Sequence, residues 1–133
     1  MTNLISDEER IRELVERWAE AVREKDMDGA LAGHTNDIVM FDVPMPLLVK
    51  GIDEYKKTWE LFFENSFAGP GSFEVTELQI TTGETVAFAH GLLDIGGSQE
   101  PVGRLTLGLT KVRGEWLIAH EHHSYPLELD QDS

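Results

Sequence analysis

The chain has 133 residues, 25 acidic against 11 basic, a formal charge of -14, 41% apolar content and no cysteine. That size suits one domain over residues 1–133 with a real hydrophobic core, while the charge disfavours nucleic acid and anionic membrane surfaces. Without cysteine there is no disulfide, iron–sulfur or thiol chemistry. No apolar run is long enough to span a membrane, and "MTNLISDEERIRE" lacks a basic segment followed by an apolar one. A cytoplasmic location is the resulting expectation.

Ser6 and Glu9 have capping-box spacing, and Ile11, Leu14, Val15, Trp18 and Val22 recur at helical intervals, so a first amphipathic helix is expected over about 7–24. After the break "KDMDG", Asp26 or Asp28 can cap a short second helix through Leu31. "DIVMFDVP" reads as a strand through Phe41, with Asp42 near its end and Pro44 and Pro46 preventing its continuation. "KGIDEYKKTWELFFENS" reads as a third helix capped by Asp53, with Tyr55, Trp59, Phe62 and Phe63 along one side. From Phe73 the pattern changes to four strands, "FEVTELQITTG", "TVAFAHGLLDIGG", "PVGRLTLGLTKVRG" and "EWLIAHEHHSYP", divided by Gly-rich or charged turns. The class is α+β: a curved, mostly antiparallel sheet covered by three N-terminal helices and closing like a cone.

Period-2 parity sorts the strand side chains. Phe88, His90 and Leu92 share one face of their strand, and Arg104, Thr106, Gly108 and Thr110 lie opposite Leu105, Leu107 and Leu109. In "WLIAHEHHS" a regular strand groups Trp116, Ile118, His120 and His122 against Leu117, Ala119, Glu121 and His123. Either pair, Glu121/His123 or His120/His122, can face the interior, because a bulge or a one-residue slip reverses the assignment.

"RWAEAVREKDMDGALAGHTNDIVMFDVP", "GIDEYKKTWELFF" and "GEWLIAHEHHS" resemble the nuclear transport factor 2-like (NTF2-like) superfamily, closest to its SnoaL-like and ketosteroid-isomerase-like members. The resemblance runs from about Glu9 to Tyr125 and implies a cone-shaped pocket for a small molecule. Asp42 matches the isomerases' general base in type and approximate position. Trp18 stands where their oxyanion tyrosine would be, and Gly108 where their protonated aspartate would be, so steroid isomerisation in its known form is not implied. His90 and Arg104 align with pocket-lining positions, and Glu121 and His123 would face inward.

The expected catalytic set is therefore Asp42, His90 and Arg104, with Trp18, Trp59, Phe88, Glu121, His122 and His123 contacting the ligand. His90 would move a proton and Arg104 would hold a carboxylate or enolate oxygen. "HEHHS" has Ser124 where a metalloprotease helix needs histidine and reads as strand, so neither metal nor cofactor is expected. Two functions stand side by side: an isomerase, lyase or cyclase working by acid–base chemistry on a small hydrophobic or anionic molecule, or a non-catalytic ligand-binding or association module. A homodimer is expected through the outer sheet face, with Leu105, Leu107, Leu109, Trp116 and Ile118 as its apolar candidates.

Overall fold

In α1 (Asp7–Arg23) the Ser6 hydroxyl accepts the Glu9 N–H at 3.2 Å, and Asp7, Glu8 and Glu9 place negative charge at the positive end of the helix dipole. Its apolar stripe buries Ile11, Leu14, Val15, Trp18 and Val22. Asp26 caps α2 (Met27–Leu31) through the Gly29 N–H at 3.1 Å. Gly33 then turns the chain at φ +75°, where a Cβ would stand 2.5 Å from the Leu14 side chain. The computed structural model describes residues 5–97 and 100–129. Among these, no helix is long and apolar enough to cross a membrane.

β1 (His34–Phe41) starts four residues before the apolar run that marked it in the sequence. Past the proline segment comes a two-residue strand, β2 (Val49–Lys50), and then α3 (Ile52–Asn65). α3 begins at Gly51 with no side-chain cap, so Asp53 lies in its first turn instead of capping it. β3 (Phe73–Thr82), β4 (Val86–Ile95), β5 (Gly103–Val112) and β6 (Glu115–Ser124) follow as an antiparallel meander.

The six strands form one mixed sheet in the order β2-β1-β6-β5-β4-β3, with β1 and β6 parallel and the other pairs antiparallel. The expected α+β class and three helices are present, but the cone is not. The sheet is open, with β2 and β3 as unpaired edges, whereas closure needs every strand paired on both sides. β2 offers only Val49 and Lys50 for pairing. At the far edge the Arg12 and Arg23 guanidiniums of α1 donate to the β3 carbonyls of Leu78 at 3.3 Å and Phe73 at 2.9 Å.

All three helices lie over one face. Leu105, Leu107, Leu109, Trp116 and Ile118 are buried beneath them, so the apolar residues expected on the outer face belong to the core. β6 reaches this arrangement through a bulge. Gly108 pairs with His120 and Leu109 with Ile118, leaving Ala119 unpaired. That extra residue switches parity, so Trp116 and Ile118 before it and Glu121 and His123 after it all point inward.

Candidate functional site

Glu121 is fully buried in the middle of β6, and a carboxylate there needs donors to replace water. It has three. The His123 Nε2–H donates to Oε1 at 2.9 Å, His34 Nε2 lies 2.7 Å from Oε2, and the Tyr55 hydroxyl donates to the same Oε2. The Tyr55 oxygen is also 2.9 Å from His34 Nε2, and His34 Nδ1 donates to the Ala32 carbonyl at 3.0 Å. Both His34 nitrogens therefore lie within hydrogen-bond distance of oxygens in this network. Burial pushes the Glu121 pKa up, but the hydrogen bonds and charges of His123 and His34 outweigh it and hold the value at about 2. Tyr55 is raised well above the usual phenol range, by burial first and then by the Glu121 charge, so it stays a neutral donor.

His123 joins this buried network to a cavity. Burial pulls its pKa down, but the Glu121 hydrogen bond and charge, helped by Asp42, raise it overall. With Nε2 committed to Glu121, Nδ1 has no hydrogen-bond partner among the described residues, and the ring lines a cavity of about 260 Å³. The walls are mainly apolar, including Met40, Trp59, Phe62, Phe73 and Leu93. Asp42, Thr58, Asn65 and Tyr125 add polar atoms, and among the described residues no lysine or arginine lines the cavity. Gly103 leaves room for the Tyr125 ring: a Cβ there would lie 2.8 Å from it.

Of the residues expected to react, Asp42 alone reaches the cavity. It sits just past β1, where one carboxylate oxygen accepts the Val43 N–H at 2.8 Å. His90 and Arg104 lie exposed on the opposite face of the sheet, as do Phe88 and His122, so Asp42, His90 and Arg104 do not gather around one pocket. The reason is strand parity: Ala89 and Leu93 on β4, and Leu105 and Leu107 on β5, take the inward positions. Arg104 instead donates through Nε to the Ser124 hydroxyl at 3.0 Å, and His122 packs edge-on against Phe41.

Trp59 lines the cavity, and Trp18 is buried behind it, edge-on to Trp59, Phe73 and His123. The indole N–H groups of both lie close enough to the Tyr55 oxygen to act on its charge, yet neither closes a hydrogen bond. Sequence reasoning missed His34 and, as a polar group, Tyr55. The one available signal was that His34 shares strand parity with the inward Ile38 and Met40. Among the described residues, no set of three or more histidines and carboxylates is placed to hold a metal ion.

Residues 11–128 match the family model for the SnoaL-like domain. An NTF2-like protein of unknown function from Pseudomonas putida KT2440 is similar at 32% identity and TM-score 0.80, over 98% of this chain and 95% of that one. A ketosteroid isomerase-like protein from Erwinia carotovora atroseptica aligns at 20% identity and TM-score 0.71, over 93% and 100% of the two chains. A protein of unknown function with a cystatin-like fold from Nostoc punctiforme does so at 16% and 0.74, over 97% and 98%. The last two likenesses speak for the fold alone. No match was found among curated proteins. By its family match and its P. putida relative, the chain belongs to the SnoaL-like domain family of the NTF2-like superfamily.

Proposed function

We propose that the chain is an acid–base enzyme of the isomerase, lyase or cyclase kind, acting on a small, largely apolar molecule bound beside His123. The observation that carries this reading is the placement of His123 between a buried carboxylate and an apolar cavity. Glu121 fixes the ring with hydrogen on Nε2 and leaves Nδ1 as the proton acceptor. In the forward step a substrate C–H proton moves to Nδ1, its electron pair forms the new C=C bond, and the carbonyl π pair moves to oxygen to give an enolate. The imidazolium so formed is stabilised by Glu121, as an orienting carboxylate should do. Returning the proton to another atom completes an isomerisation, and giving it to a departing hydroxyl completes a dehydration.

The absence of lysine and arginine from the walls favours an uncharged molecule over the anionic one that Arg104 would have served. Asp42, which lines the same cavity and whose charge acts on His123, is the second carboxylate available to the reaction. Its bond to the Val43 N–H also suits a turn-stabilising residue, which favours the binding-module reading.

Proton exchange separates the two. Ring ketones incubated with the protein in deuterium oxide should gain deuterium next to the carbonyl, and His123→Gln should abolish that gain. Binding without exchange would leave only a binding module, and exchange unaffected by His123→Gln would overturn the assignment of His123 as the base.

A further inference from the structure

We propose that the cavity holds only the polar end of an elongated apolar molecule, whose hydrocarbon part runs out through the mouth and over the Val43–Leu47 segment. This rests on the reading of the cavity as a small-molecule site. Val43, Pro44, Leu61 and Tyr125 line the cavity and are at the same time exposed, so its opening has an apolar rim. The segment that supplies Val43 and Pro44 continues to Met45 and Leu47, which are 93% and 95% exposed. Pro44 and Pro46 fix φ on either side of Met45, which limits how far the segment can fold back to hide these side chains.

Large apolar side chains left in water beside an open pocket mark a binding surface. Several occupants are conceivable in principle. The charge of -14 works against an anionic membrane and against close approach of a second, equally charged copy. Continuity with the cavity wall favours the ligand itself. The cavity, at about 260 Å³, is smaller than sites for drug-sized molecules, which run from about 300 to 1,000 Å³. A molecule with more apolar surface to bury must therefore extend beyond the mouth. The polar end belongs inside, where His123 and Asp42 are the hydrogen-bonding groups.

The test is calorimetric titration with 1-hexanol, 1-octanol and 1-decanol, using the wild type and the double variant Met45→Ser/Leu47→Ser. Both positions are almost fully exposed, so the variant should fold normally. Affinity should keep rising from hexanol to decanol by up to about fourfold per methylene, the limit for complete burial. The double variant should bind hexanol like the wild type and lose about tenfold for decanol. An affinity that stops rising after hexanol, or a variant that binds decanol as well as the wild type does, overturns the extended site while leaving the cavity reading in place. If no alkanol binds, the cavity reading falls as well. A dimer that forms at working concentration and dissociates in the double variant would assign the segment to a second copy and overturn the proposal.

Discussion

His123 donates to Glu121 at 2.9 Å although the two are only two residues apart, on the same inward face of β6. Alternate residues of a strand point the same way, so one strand supplies both the proton-transfer group and the carboxylate that orients it. The remaining partners come from elsewhere: His34 from the start of β1 and Tyr55 from the first turns of α3. The pair is thus built locally, and its burial depends on the whole fold.

Stability should depend on pH through this pair, with a definite sign. Glu121 is held below its usual 4.5, at about 2, so its contribution is present above pH 4.5 and is lost as pH falls from there towards 2. Such a displacement corresponds to on the order of 3 kcal/mol. His123 is raised above 6.5, so its contribution is complete below that pH and is lost as pH rises through the raised value. Urea midpoints measured from pH 2 to 9 should fall at both ends, and His123→Gln should flatten the alkaline limb and weaken the acid limb, because His123 helps to hold Glu121 low.

Tyr55→Phe removes one of the three donors to Glu121 and takes away the oxygen beside the Trp18 and Trp59 N–H groups. A loss of about 1–3 kcal/mol is expected. Chemical denaturation measures it, and a change below about 0.5 kcal/mol would show that the hydroxyl contributes little to holding the carboxylate.

His90→Ala with Arg104→Ala should behave as a surface change. Both residues are exposed on the face away from the cavity, so stability should move by no more than about 0.5 kcal/mol and alcohol affinity should stay the same. A loss of binding in this double variant would return the site to the opposite face of the sheet.

Much of the fold was legible because the local chemistry was strong. Ser6 and the Ile11–Val22 stripe mark α1, Asp26 marks α2, and the turns after Phe73 divide the meander. On β5 the two faces were separated correctly but assigned the wrong way round: the leucines go inside and Arg104 and Thr106 outside. Family alignment had pulled Arg104 into the pocket against that pattern. On β6 nothing in "WLIAHEHHS" announces a bulge at Ala119, since neither glycine nor proline marks it, so parity before and after it could not be joined. The site was less legible still. His34 and Glu121 are 87 positions apart, and their contact exists only because β1 and β6 pair in parallel. The open sheet likewise depends on an edge strand of two residues, too short to show a pattern.

The central claim is that Glu121 holds His123 with hydrogen on Nε2 and leaves Nδ1 free towards the cavity. Nitrogen-15 NMR of the histidine rings across a pH titration reads this directly. The expected result is a neutral His123 protonated on Nε2, titrating above 6.5 and shifting on Nδ1 when an alcohol is added. A neutral ring protonated on Nδ1, or a His123 that titrates below 6.5, would contradict the account.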